Sequence, residues 1–354
     1  MDILQQLGVA LGLASLAGLN LYLTVFITGL AIQQQWINVS QTYPELAILA
    51  HPAVIIIAGV LYVLQFFADK VPWVDSLWDA VHTFIRPIGG AFLAIHVLDG
   101  QNKLDSTVEV VAALLAGGVT LTTHAMKAGT RLVANHSPEP FSNIALSVTE
   151  DAAVVGGLFL IKQDPTLALI VFSVILIAIL YIGPKILRGA KVQLWLIWKK
   201  IASPASDKLA RDLGKNLPRE LDIAFFSVNL ERDPIAWVVR CVSTSSRGLT
   251  GNLFGYLVAT ERPGPKVAFI AKRGWKHAAT EIDFTGYKVA HEPKFLSENV
   301  VLYHLEKKPK YIFLFPRSER AIAKAVVANI EERLATSLPT SEEPIRLDEP
   351  ALSS

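Results

Sequence analysis

Asp75, Asp79, His82 and Arg86 follow one another at spacings of four, three and four, which places all four side chains on one face of a helix. Around them the chain is oily, and a charge at membrane depth costs about 2.5 to 3.5 kcal/mol on insertion scales, so that face must turn to a partner or a wet cavity. A second polar set lies further on: Lys127, Arg131, Glu139, Asn143, Glu150 and Asp151, with Asp69 and Lys70 just ahead of the first. Guanidinium and ammonium groups at Arg86, Lys127 and Arg131 suit an anion, while Asp75, Asp79, Glu150 or Asp151 suit a cation or a proton relay. Asn20 is a candidate for the same cavity. The plain alternative is an ion-pair network that locks two helical hairpins together.

The elements that must carry these residues are membrane spans. Of the 354 residues 52% are hydrophobic, and the mean hydropathy is +0.40. Apolar segments at Leu4 to Ile32, Pro52 to Phe67, Trp73 to Leu98, Thr107 to Val133 and Phe141 to Ile161 predict five helices, and Asp164-Pro165 opens a sixth. The first segment is longer than the bilayer needs, and Gly18-Leu19-Asn20 is where it should kink or break. Arg86-Pro87 is a second place where a helix ladder can open and free carbonyls. Met1-Asp2 carries no basic segment ahead of the first apolar run, so that span is expected to stay and not to be cleaved as a signal peptide.

Near residue 185 hydrocarbon gives way to Lys185, Arg188, Lys191, Lys199 and Lys200 with no acid among them. Positive residues mark the cytoplasmic end of a span, so the expected setting is a cytoplasmic (inner) membrane, multi-pass, with both termini cytoplasmic and residues 34–50 outside. The two polar regions then share the cytoplasmic leaflet. Ile88-Gly89-Gly90-Ala91-Phe92-Leu93 also aligns loosely with Val155-Gly156-Gly157-Leu158-Phe159-Leu160, either a weak internal repeat or close helix packing at the glycine pairs.

Several short motifs occur together: Gly18-Leu19-Asn20-x-Tyr22, Ala68-Asp69-Lys70-Val71-Pro72, Asp75-Ser76-x-Trp78-Asp79, Arg86-Pro87, Lys127-Ala128-Gly129-Thr130-Arg131, Asn135-x-Ser137-Pro138-Glu139-Pro140 and Glu150-Asp151. In this combination residues 7 to 190 resemble an uncharacterised family of bacterial integral membrane proteins, domain of unknown function 4126. The resemblance implies a compact multi-span membrane domain, and no activity comes with it.

Beyond Lys200 the resemblance stops. Trp195 and Trp198 with Lys191, Lys199 and Lys200 suggest a basic juxtamembrane helix at headgroup level, residues 191–219 with its linker. Alternating stretches at Ala236 to Val242, Leu253 to Thr260, Lys266 to Ala271, Val300 to Leu305 and Tyr311 to Phe315 predict strands. Glu319 to Leu334 predicts one amphipathic helix, capped by Ser318. Residues 220–335 thus read as a small soluble α+β domain, antiparallel strands plus a C-terminal helix, possible in a pleckstrin-like arrangement, followed by a disordered tail over 336–354. Lys272, Arg273, Trp275, Lys276 and His277 make a basic, aromatic hairpin tip, either a solvated turn or a contact for anionic headgroups.

The single Cys241 excludes a disulfide framework and reads as a buried strand residue. No nucleophile elbow, phosphate loop or zinc-protease signature is present, so no catalytic residue, metal site or cofactor is assigned. A net charge of +2 gives no reason to expect nucleic acid. The preferred expectation is a transporter-like or lipid-handling membrane protein; its partners would be the bilayer, an anionic small molecule, lipid headgroup or ion, and a cytoplasmic protein for the soluble domain. A scaffold held by a structural ion-pair lock comes next, and an intramembrane enzyme acting on a phosphorylated lipid third.

Overall fold

The computed structural model describes residues 3–36, 43–98, 105–134, 140–203, 213–244, 246, 248–274, 276–304 and 309–337, with Pro72, Trp73 and residues 140–143 and 309–310 described by their backbone alone. The chain divides into two compact units, Met1–Gln193 and Leu194–Ser354.

The first unit is helical: α1 (Ile3–Gln33), a 3-10 turn at Pro44–Ala50, α2 (Pro52–Ala68), α3 (Pro72–Leu98), α4 (Ser106–Ala134), α5 (Pro140–Gln163) and α6 (Pro165–Ala202), whose last residues, from Leu194, belong to the second unit. Five of these helices are long and apolar enough to cross a membrane; the 3-10 turn and α2, bent by 63° against each other, make a sixth crossing if counted as one. Polarity is reversed relative to a water-soluble bundle. Phe84, Ile88, Leu114 and Ile177 point outward and exposed, whereas Arg86 and Arg131 are among the largest fully buried side chains. Burial of that kind fits a lipid exterior.

Helix α1 is the centre, packed against α2, α3, α4 and α5. Small residues let it be approached closely: a methyl group at Gly18 would come within 2.6 Å of the Thr120 carbonyl oxygen on α4. Tight packing accounts for one glycine or both of each pair: a methyl at Gly157 would meet Leu16 at 2.7 Å and one at Gly89 would meet Leu21 at 2.7 Å, Gly90 faces Thr120, and Gly156 alone of the four faces open space. The break expected in α1 occurs at Asn20, whose φ of −150° and ψ of 93° are not helical. The break expected at Pro87 does not occur, because α3 continues through it. Expected loops at residues 37–42 lie outside the described residues.

The second unit holds β1 (Ile235–Ser243), β2 (Leu253–Thr260), β3 (Lys266–Arg273), β4 (Lys276–Asp283), β5 (Lys288–Pro293), β6 (Ser297–Tyr303) and β7 (Pro309–Pro316), with the short α7 (Asp222–Val228) before them and α8 (Arg320–Ser337) after. All pairings are antiparallel, in the order β4-β3-β2-β1-β7-β6-β5. The alternating stretches therefore become strands of one sheet, and β4 and β5, its two edges, are additions to the sequence expectation. Val326 and Ile330 of α8 are buried with Phe313, Phe315 and Leu257 of the sheet. Ser318 does not cap that helix; it lies inside a 3-10 turn, Arg317–Glu319, entered from Pro316. Cys241 is fully buried on β1, and burial pushes its thiol pKa up. The tail begins later than expected, because α8 includes Thr336 and Ser337; residues 338–354 lie outside the described residues.

Candidate functional site

A helix broken in mid-span leaves backbone carbonyls and amides without their usual partners, and in lipid these must be satisfied from inside the protein. At Asn20 the first half-helix ends on the carbonyls of Gly18 and Leu19. Both accept from Arg86 Nη1, at 3.0 and 3.1 Å, and the Leu19 carbonyl also accepts from Lys127 Nζ at 3.1 Å. Two cations thus meet the negative end of a helix dipole. The second half-helix starts with Asn20 Oδ1 accepting from the Leu23 amide at 3.1 Å, an N-cap midway along α1. Asn20 Nδ2 donates to Asp151 Oδ1 at 3.0 Å, which places an acid at the positive end of the dipole. Tyr62 of α2 donates to the other oxygen of Asp151 at 2.9 Å.

The anticipated polar face of α3 is buried as one: Asp75, Asp79, His82 and Arg86 are all at most 5% exposed. It meets the second polar set as expected, but in two parts of different character. Arg131 is saturated with carboxylates. Its Nε and Nη2 edge donates to both oxygens of Glu150, Nη1 donates to Asp75 Oδ1 at 2.9 Å, and Nη2 also donates to Asp69 Oδ2 at 2.9 Å. Lys127 Nζ joins the same group, 3.2 Å from Glu150 Oε2 and 3.7 Å from Asp69 Oδ2. The anion grip expected of Lys127 and Arg131 is therefore taken up by the protein's own acids.

Arg86 is the opposite case. It is 0% exposed, and all its hydrogen bonds leave from Nη1: the two carbonyls of the α1 break and His124 Nδ1 at 2.9 Å. The Nε and Nη2 edge has no hydrogen-bond partner among the described residues, and neither has Asp79 Oδ1, which stands 3.7 Å from Nη2. His124 is held in one form by its neighbours. Arginine only donates, so Nδ1 must accept, and Nε2 donates to the Asp79 carbonyl at 3.1 Å; the ring is neutral with its proton on Nε2. His82 sends Nδ1 to the Trp78 carbonyl at 2.6 Å and meets the Tyr22 hydroxyl through Nε2 at 2.7 Å, while its ring stacks on Trp78. Also without a hydrogen-bond partner among the described residues are both side-chain polar atoms of Gln65, Asp69 Oδ1 and Trp78 Nε1. Buried polar atoms without a partner are uncommon in folded proteins.

The remaining candidates divide. Lys70 is not drawn in; its Nζ donates to the Phe66 carbonyl and lies 3.0 Å over the Phe66 ring. Asn143 falls on α5 with only its backbone described, and Glu139 lies outside the described residues. Tyr22, Tyr62, Gln65 and His124 join the constellation without having been counted as site residues. Of the headgroup candidates, Trp195 packs edge-on against Phe254 of β2 at 5.1 Å and Lys200 lies 3.2 Å over Phe295, while Trp198 is 66% exposed; Lys191 and Lys199 belong to the same stretch of α6, which continues to Ala202 without a separate juxtamembrane helix. The basic tip forms a β3–β4 hairpin, Arg273 opposite Lys276, with Lys272 paired to Glu220 at 3.0 Å and Trp275 outside the described residues.

A multi-pass helical membrane domain with charges clustered at a broken central helix, followed by a second, α+β unit, is the class these features define. The chain belongs to the family Domain of unknown function (DUF4126), whose model matches residues 7–185 and thereby every described candidate of the polar cluster. No curated protein matches the chain. Among solved structures it is similar to autoinhibited Vav1 at a TM-score of 0.24 and 10% identity, over 89% of this chain and 55% of that one, so that it spans about half of that structure's length. At that score neither fold nor function transfers.

Proposed function

We propose that the membrane unit is an ion carrier whose site is the polar cluster at the break in α1. The observation that supports this most is the break itself, deep in the most buried helix, with cations at the end of one half-helix and a carboxylate at the start of the other. Discontinuous helices of this kind furnish ion and substrate sites at mid-membrane in secondary transporters. Charge supports it too. Asp69, Asp75, Asp79, Glu150 and Asp151 oppose Arg86, Lys127 and Arg131, an excess of two negative charges when all are ionised, which in an interior of low dielectric favours the uptake of protons or cations alongside whatever binds there.

The proposed setting is a bacterial inner membrane with both termini cytoplasmic, because basic residues concentrate after Ile182; this requires α2 to complete a crossing. The site then opens to the cytoplasmic leaflet, and the soluble unit serves regulation or a protein partner, in a pleckstrin-like arrangement of sheet and helix. A cysteine at Gln41 should be labelled from the outer face of intact cells; labelling only after permeabilisation reverses the orientation.

The carrier reading is tested with the full chain in proteoliposomes, by following an internal pH dye while gradients of protons, monovalent cations and small anions are imposed. Flux above empty liposomes is expected, and its loss in Asn20→Leu at unchanged incorporation. Absence of flux under every gradient overturns the reading. The second reading, a scaffold, is favoured by the closed pairing of Arg131. It predicts that combining Arg131→Ala with Glu150→Gln recovers both expression and every cellular phenotype, whereas a carrier recovers expression alone.

A further inference from the structure

The two edges of the Arg86 guanidinium are used differently, and the unused one has a defined chemistry. We propose that Arg86 and Asp79 form a proton-gated site for a planar, singly charged oxyanion of the carboxylate type, a reading that rests on the carrier function above and names its substrate class and coupling. Nε–H and Nη2–H point the same way and form the side-on fork that takes two oxygens of a planar oxyanion. In Arg131 this same fork grips Glu150, which shows the pairing within this protein. In Arg86 the fork makes no hydrogen bond among the described residues although the side chain is fully buried, and its one ion-pair neighbour there, Asp79 Oδ1, stands off at 3.7 Å from Nη2.

The other edge explains why the fork stays presented. Nη1 is tied to the Gly18 and Leu19 carbonyls and to His124 Nδ1, so the guanidinium plane is fixed before a guest arrives. His124 is itself fixed by Nε2 on the Asp79 carbonyl, and Thr83 Oγ1 donates to that carbonyl at 2.9 Å. Preorganisation of this kind concentrates binding free energy on the guest.

Asp79 supplies the gate. Its Oδ1 faces Nη2 from 3.7 Å, too far to donate or accept directly and near enough to repel an anion seated on the fork. A proton delivered from hydronium to Asp79 Oδ1, releasing water, removes that repulsion and converts the oxygen into a donor toward the guest; one O–H bond breaks in hydronium as one forms on the carboxylate, and the net charge of the cluster is unchanged once proton and anion are both bound. The charged and titratable groups around Asp79 are Arg86, His82 and Asp75 on α3, His124 and Lys127 on α4, Asp69 on α2 and Tyr22 on α1. Lys127 and Asp69 are engaged with one another and with the Arg131 group, and His124 is held neutral, which leaves Asp79 as the carboxylate with an oxygen open to the fork.

Titration calorimetry on the purified full chain in detergent, with acetate and nitrate as planar probes and sulfate and chloride as comparators, decides the matter. Acetate and nitrate should bind with close to one proton taken up per anion, seen as a dependence of heat on buffer ionisation, and affinity should fall about tenfold per pH unit over the range in which that proton is taken up. D79N should bind without proton uptake and with a flat pH profile, and R86K should lose at least tenfold in affinity while eluting as a folded species. Wild-type proton uptake near zero, a pH profile unchanged in D79N, or sulfate binding as well as acetate overturns the proposal. Should D79N not fold, wild-type proton uptake decides alone. Cation-driven flux in proteoliposomes without binding of either planar probe removes this proposal and leaves the carrier; no flux and no binding removes both.

Discussion

Arg131 and Arg86 lie in the same membrane interior and are equally hidden from solvent, yet one is closed by carboxylates and the other is held along a single edge by backbone carbonyls and a neutral imidazole. The difference separates two uses of a buried charge. Arg131 draws Asp69 at the C-cap of α2, Asp75 of α3 and Glu150 of α5 onto α4, so it ties four helices together. Arg86 satisfies the break in α1 and keeps its fork in reserve. A cluster that looks uniform in composition therefore holds a lock beside a site.

Removing the lock should produce the largest effect. Arg131→Ala leaves three carboxylates without their main partner, and breaking a buried pair costs about 3 to 5 kcal/mol. Thermal unfolding followed by size exclusion in detergent should show a marked loss, partly reversed when Glu150→Gln is added; a variant as stable as wild type breaks the comparison. Arg86→Gln should cost less, about 1 to 3 kcal/mol, because an amide can still donate to the Gly18 or Leu19 carbonyl. Equal losses for the two arginines in the same assay would mean that both are locks.

Tyr62→Phe removes the donor to Asp151 at one step from the Asn20 break and should cost about 0.5 to 1.5 kcal/mol, read in the same melting assay. A larger loss would extend the lock to α2. The smallest effect belongs to the soluble unit, where burial raises the pKa of Glu319 against the opposing pull of Lys199 and Arg240. A carboxyl whose folded pKa is raised binds its proton more tightly when folded, so ionisation penalises the fold at neutral pH and the penalty fades as pH falls through the raised value. Glu319→Gln should therefore slightly raise the melting temperature near neutral pH, with the advantage gone in the ordinary carboxylate range; an advantage that grows on acidification would contradict this sign.

The spans, the single polar face of α3 and the break near Asn20 were legible because each is written in spacing along one helix. Which charge meets which was not, since Glu150 and Asp69 reach Arg131 from other helices and nothing local distinguishes its fork from that of Arg86. Lys70 shows the limit of proximity in sequence: next to Asp69 in the chain, it turns back onto Phe66. A signal was missed on α2, where Tyr62, Gln65 and Asp69 repeat the three-and-four spacing inside an otherwise apolar run. In the soluble unit, β4 and β5 escaped because edge strands bury one side thinly; Lys276 to Asp283 is mostly small or polar and lacks the apolar alternation of the strands it pairs with.

The break in α1 also sets an order of events during synthesis. The carbonyls of Gly18 and Leu19 leave the ribosome ahead of their partners: Lys127, which completes their hydrogen bonding, lies 108 residues further along the chain than Leu19. At a translation rate of about 5 to 20 residues per second, the partner arrives roughly 5 to 20 s later. Until then the nascent first span can satisfy its backbone as one unbroken helix, and the two halves part only when α3 and α4 bring Arg86 and Lys127. The bent form of this helix is thus a late product of assembly, and a chain truncated before residue 127 should retain α1 as a straight anchor.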